Sequence, residues 1–170
     1  MTTAQTISVD YEALAATRAA IAETCMAPAG ERRPSTARGI HHVAFLSSDV
    51  QRTVDFYQGI LGFPLVEVME NRDYPGSTHF FFDLGQGNLL AFFDFPGLDL
   101  SGYAEVLGGL HHLAIAVSPR KWETLKTRLT QHGIPWTVHS DVSVYFTDPD
   151  GARLELLADP LGELYGADVL

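Results

Sequence analysis

The chain has 170 residues, of which 11 are Lys or Arg and 21 are Asp or Glu, giving a formal net charge of −10. That charge repels nucleic-acid backbones and anionic membrane surfaces, and no Lys/Arg cluster interrupts it, so the expected partner is a small molecule. With 46% hydrophobic and 19% charged residues, the composition fits a globular chain with a sizeable core and excludes a disordered or fibrous one.

The single cysteine, Cys25, has no internal disulfide partner, which fits a reducing compartment. No apolar run approaches the ~18 residues of a membrane span. Residues 1–6 lack the charged start and apolar run of a signal peptide, so the expectation is a cytoplasmic protein. In chain order, Asp10 precedes an alanine-rich stretch in which Tyr11, Leu14, Ala15, Ile21, Ala22 and Cys25 recur at helical spacing. The pattern predicts an amphipathic helix with an acidic N-cap. Pro28, Gly30 and Pro34 then mark a linker. Residues 1–38 read as helix and linker, 39–160 as the working domain, and 161–170 as a tail.

The domain states one pattern twice. Gly39-Ile40-His41-His42-Val43-Ala44 returns as Gly109-Leu110-His111-His112-Leu113-Ala114. After the first copy's lead strand, Ser48-Asp49 caps a helix carrying Val50, Val54, Phe56, Tyr57, Ile60 and Leu61, ended by Gly62. Strands are predicted at residues 65–70, 78–84 and 88–93. In the second copy Ser118-Pro119 opens a helix with Trp122, Leu125 and Leu129 in register, closed by His132-Gly133. Strands follow at residues 136–139, 142–147 and 153–158, with Asp148-Pro149-Asp150-Gly151 as a turn. Both copies read β-α-β-β-β, in modules 39–95 and 109–160 of one α+β domain. The distance between His42 and His112 exceeds the ~20–50-residue periods of solenoids, so this is a duplication inside a domain.

Strand alternation puts His42 and Ala44 on one face with Leu46, and His112 with Ala114 and Ala116. The bulkier opposite faces are expected under the helices. On the last strand Leu154 and Leu156 pack inward, which turns Glu155 toward the space that His42 and His112 face. Two imidazoles and one carboxylate make a three-point site for a divalent ion with positions left open for a reactant; Fe(II) suits it best, with Mn(II) or Zn(II) possible. His41 and His111 fall on the helix-side face or its rim and read as structural. The run Phe80-Phe81-Phe82 with Phe92, Phe93 and Phe95 would serve either core packing or a flat ligand. Aligned without a gap through the last hairpin, Ala91 of the first copy corresponds to Glu155.

The histidine in each lead strand, the Phe56-Tyr57…Leu61-Gly62-Phe63 helix end and the stretch Tyr145-Phe146…Asp148-Pro149-Asp150-Gly151…Leu154-Glu155-Leu156 together resemble the vicinal oxygen chelate superfamily. That group includes glyoxalase I, bleomycin- and fosfomycin-resistance proteins, methylmalonyl-CoA epimerase and type I extradiol dioxygenases. Over roughly residues 39–160 the resemblance implies two modules curled into a half-barrel cleft around a metal held by His42, His112 and Glu155. Glyoxalase-like and epimerase-like members carry a fourth ligand at the place of Ala91, where alanine neither ligates nor acts as a base. Extradiol dioxygenases and fosfomycin-resistance enzymes use a His, His, Glu set. The cations expected to hold a phosphonate are missing: no Lys lies between Arg128 and Arg153, and no Arg or Lys follows Arg153.

The expected function is therefore a metal-dependent extradiol-type dioxygenase acting on a small aromatic vicinal diol. The alternatives are a glyoxalase-like lyase or isomerase, or a non-catalytic binding protein of the bleomycin-resistance kind. Tyr145 matches a tyrosine that hydrogen-bonds substrate in extradiol enzymes, and His139 lies near the place of one of their active-site histidines. Gly97 stands at the spacing of their acid–base histidine, and His79 could face the cleft from the first module. Members often dimerise, so a homodimer is expected.

Overall fold

Helix α1 (Tyr11–Cys25) starts where sequence places its cap: the Asp10 carboxylate accepts a hydrogen bond from the Ala13 N–H at 2.9 Å. None of its residues is buried, and Tyr11, Leu14 and Ile21 are exposed. The computed structural model describes residues 9–164, together with the backbone of 167 and 168. It divides into two compact units between Thr36 and Ala37, with α1 in the first.

In the second unit, β1 (His42–Leu46) leads into α2 (Val50–Val54), capped by Asp49 on the Arg52 N–H at 2.9 Å. A π-helical stretch, Asp55–Ile60, continues α2 and turns both Phe56 and Tyr57 inward, where they are buried. Then come β2 (Leu65–Glu70), β3 (Thr78–Gly85) and β4 (Asn88–Phe93). The second module repeats the plan with β5 (Leu113–Ala116), α3 (Pro119–Gln131), β6 (Trp136–Ser140), β7 (Ser143–Thr147) and β8 (Arg153–Leu157). The short strands β9 (Glu163–Leu164) and β10 (Ala167–Asp168) pair antiparallel after it.

Each module forms its own four-stranded sheet, ordered β1-β4-β3-β2 and β5-β8-β7-β6, with the lead strand at an edge and parallel to the last. These are the two tandem βαβββ modules of an α+β domain. Alternation sorts the phenylalanines: Phe80, Phe82 and Phe92 are fully buried under the helices, whereas Phe81 and Phe93 belong to the opposite face. In module 2 Val144, Phe146, Leu154 and Leu156 fill the matching places, and the Trp122 indole N–H anchors α3 to the Leu156 carbonyl at 3.0 Å.

The modules share one apolar core. Phe56 reaches Phe146 with ring centroids 6.3 Å apart, the Arg128 guanidinium donates to the Ile60 carbonyl, and the buried Tyr57 hydroxyl donates to Asp148 at 3.1 Å. Asp148 also accepts from the Ala152 and Asp150 N–H groups, which shapes the turn that Gly151 completes at φ +89°. Burial raises the Asp148 pKa, opposed by these hydrogen bonds. Burial and then the Asp148 charge hold Tyr57 well above the ordinary tyrosine value. Among the described residues no helix is long and apolar enough to cross a membrane.

Candidate metal centre

The ladder of module 2 brings two of the three candidate ligands together. β8 lies between β5 and β7, and Glu155 is paired with Ala114 on one side and Tyr145 on the other. Ala114 leaves room, so His112, at the approach to β5, reaches Glu155: its Nε2 stands 3.2 Å from Glu155 Oε2. The carboxylate is buried and gripped at both oxygens. The Tyr145 hydroxyl donates to Oε2 at 2.9 Å, and the Ser143 hydroxyl to Oε1.

His111 and His112 contact each other through their Nδ1 atoms at 2.6 Å, as His41 and His42 do at 2.9 Å. In such a pair one ring donates and the other accepts, so each histidine restrains the orientation of its neighbour. His41 and His111 are exposed at the rim rather than packed under helices, and their contacts orient the neighbouring rings. Arg153 lies over the Tyr145 ring at 4.7 Å and approaches His111 Nε2 at 3.3 Å and Glu105 at 3.4 Å. His139, at an irregularity between Val138 and Ser140, presents an exposed ring 5.5 Å from that of Tyr145.

His42 stands on the other sheet. It leads β1 opposite Leu89, with Phe81 edge-on at 6.0 Å. Sequence reasoning expects His42, His112 and Glu155 to face one space, and within the chain two of the three meet. Among the described residues no group of three or more His, Cys, Asp or Glu side chains is placed to hold an ion. β1 and β5 are edge strands of separate sheets with no hydrogen bonds between them, so no strand register ties His42 to His112.

The module 1 ladder places Ala91 between Ala44 and Phe81, as Glu155 lies between Ala114 and Tyr145. Ala91 and Glu155 thus hold matching positions, as do Phe81 and Tyr145. Ser143 is the partner of Glu155 that sequence reasoning passed over; its signal was the two-residue spacing that puts it on the face of Tyr145. His79, its counterpart in module 1, has its pKa lowered by burial and by His42, against the pull of Glu67.

Residues 39–156 match the Glyoxalase/Bleomycin resistance protein/Dioxygenase superfamily. The chain belongs to this superfamily. It is 31% identical over 140 residues to MhqA of Bacillus subtilis, a protein named for a proposed ring-cleaving dioxygenase activity, covering 77% of this chain and 43% of that one. The chain therefore spans less than half the length of that relative. It is also 28% identical over 125 residues to the metallothiol transferase FosB of Staphylococcus epidermidis, covering 70% of this chain and 82% of that protein. In fold it resembles a mutant of the fosfomycin resistance protein FosX of Listeria monocytogenes, solved with Mn(II) and 1S,2S-dihydroxypropylphosphonic acid. The TM-score is 0.57 at 21% identity, over 74% of this chain and 96% of that one.

Proposed function

We propose that the chain is a divalent-metal-dependent dioxygenase of the ring-cleaving type, acting on a small aromatic vicinal diol, with His42, His112 and Glu155 as metal ligands. The observation that carries this is the 3.2 Å approach of His112 Nε2 to a Glu155 carboxylate braced by Ser143 and Tyr145. Two donor atoms that bind one ion at ~2.0–2.2 Å and near a right angle stand ~3 Å apart, so the pair fits a metal. Two imidazoles and a carboxylate with open positions favour Fe(II), with Mn(II) or Zn(II) as alternatives. When bound, the metal brings diol and oxygen together and mediates electron flow between them.

The protein's own groups do the rest. Ser143 and Tyr145 hold the carboxylate in one orientation, and the paired histidines hold their rings. Tyr145 and the adjacent His139 are the groups we assign to ligand hydroxyls, His139 taking the proton that a diol releases. A glyoxalase-type isomerisation is disfavoured because Ala91 offers no base and is fully buried.

Because His42 stands apart from the other two, we propose a homodimer in which His42 of one copy joins His112 and Glu155 of the other. A cytoplasmic location completes the proposal. The test begins with metal content after anaerobic purification: about one Fe per chain is expected, lost in Glu155→Ala and in His42→Ala. Oxygen uptake with a catechol panel follows. Mixing the two inactive variants under exchange should then restore about a quarter of the activity, since half the dimers are mixed and each regains one of two sites. Native protein that holds no metal after reconstitution would sink the enzyme. Native activity without complementation would sink the shared site.

A further inference from the structure

The face of module 1 that carries His42 has a feature that the metal set does not use. His79 on β3 is paired with Phe93 and lies on the face of Phe81, opposite the buried Phe80, Phe82 and Phe92. Its imidazole stacks on Phe93 at 3.8 Å between centroids and 17° between planes, and lies 4.2 Å from Phe81. Phe95 continues the row beside Phe93 at 6.1 Å, while His42 meets Phe81 at the other end. The result is a wall of rings, stacked or tilted against one another, along one face of a sheet.

Within this wall, His79 Nε2 is fully covered and has no hydrogen-bond partner, alone in that respect among the described buried side-chain nitrogens and oxygens. Buried polar atoms are normally paired, and none of the described residues supplies the partner of this one. The ladder explains why. His79 occupies the place that Ser143 occupies in module 2, where Ser143 bonds Glu155; in module 1 the position of that carboxylate is Ala91. The ring is half-buried, and its χ2 torsion is soft, so a modest turn presents the nitrogen to a ligand lying on the wall.

We propose that this wall receives the ring of the ligand and that His79 is a specificity-determining residue, its Nε2 hydrogen-bonding a hydroxyl group on that ring. The assignment rests on the proposed enzyme only in calling the ligand a substrate; the recognition itself needs no metal. A neutral imidazole offers one donor and one acceptor, which suits a phenolic hydroxyl, while the neighbouring Phe81 and Phe93 rings favour an aromatic ligand over a saturated one.

The experiment uses the full chain in two states. Metal-free native protein is titrated with phenol and, separately, with cyclohexanol, following the His79 imidazole carbon-bound proton resonances. A saturable shift with phenol and none with cyclohexanol is expected. Metal-loaded protein is then titrated anaerobically with 4-nitrocatechol by its absorbance. His79→Phe, which keeps the ring and removes the nitrogen, should weaken binding roughly three- to tenfold with metal content unchanged, and His79→Gln should recover part of the loss. No phenol shift, or full 4-nitrocatechol affinity in His79→Phe, would overturn the proposal, leaving water as the partner of Nε2. Loss of metal from the native protein would count against the enzyme, while the phenol arm would still decide the role of His79.

Discussion

Where module 2 places Glu155 between Ala114 and Tyr145, module 1 places Ala91 between Ala44 and Phe81, and two residues back along the neighbouring strand Ser143 is answered by His79. Both sheets have the same strand order, and both bury alternate apolar residues against helices. The copies have kept the side that makes the core and diverged on the opposite face, which carries the proposed ligands. The divergence is concerted, since the carboxylate and the two hydroxyls that grip it are all absent from module 1. A carboxylate on a sheet face functions here with its hydrogen-bond donors, as a unit.

The largest effect should come from forcing that unit into module 1 one residue at a time. Ala91 is fully buried, so Ala91→Glu sets a carboxylate against Phe81 with neither hydroxyl to receive it. We expect a loss of about 3–5 kcal/mol in denaturant unfolding, as for an uncompensated buried charge, with no second metal gained. Adding Phe81→Tyr and His79→Ser should recover a substantial part of the loss. If Ala91→Glu alone is tolerated without cost, the two faces are more alike than their ladders indicate.

The next effect, on metal affinity, isolates the bracing in module 2. Tyr145→Phe removes the 2.9 Å hydrogen bond to Glu155 Oε2 and keeps the ring beside His112. Metal affinity should fall about 10–100-fold in competition with a chelator, the range for groups that orient a ligand. Phe81→Tyr should leave it unchanged. Equal loss in both variants would mean that the affinity follows general packing and not the grip on Glu155.

Much of this contrast is legible in the sequence. The doubled Gly-x-His-His pattern, the capped helices and the alternation of apolar residues specify two βαβββ modules, because each depends on neighbours a few residues away. The match of Ala91 to Glu155 follows from ungapped alignment of the hairpins, and the ladders put both at one position. Ser143 is harder to find, since its importance comes from pairing across strands rather than from any motif. The separation of His42 from His112 is not legible at all. Alternation fixes which face a side chain takes but says nothing about where one sheet stands relative to another. The phenylalanine run shows the same boundary: the pattern leaves core and ligand face both open, and the register gives Phe80 and Phe82 to one and Phe81 to the other.

The smallest effect concerns what joins the two modules. Tyr57, in the π-helical stretch of module 1, is fully buried and donates to Asp148 in the turn of module 2. Tyr57→Phe keeps the ring contacts with Phe82 and Phe92 but leaves one Asp148 oxygen without that donor, so we expect a loss of about 1–2 kcal/mol near neutral pH. The pH dependence separates this hydrogen bond from simple packing. Burial and the Asp148 charge raise the Tyr57 pKa in the folded state, so the folded chain holds its proton after the unfolded chain has lost it. The contribution is therefore complete below the unfolded value near 10 and is lost as pH rises through the folded value. In the Phe variant this loss is absent, and the gap between native and variant stability should close by up to about 1.4 kcal/mol per pH unit above pH ~10. A gap that stays constant with pH would assign the cost of the variant to packing alone and leave the Tyr57–Asp148 link without a special part in holding the modules together.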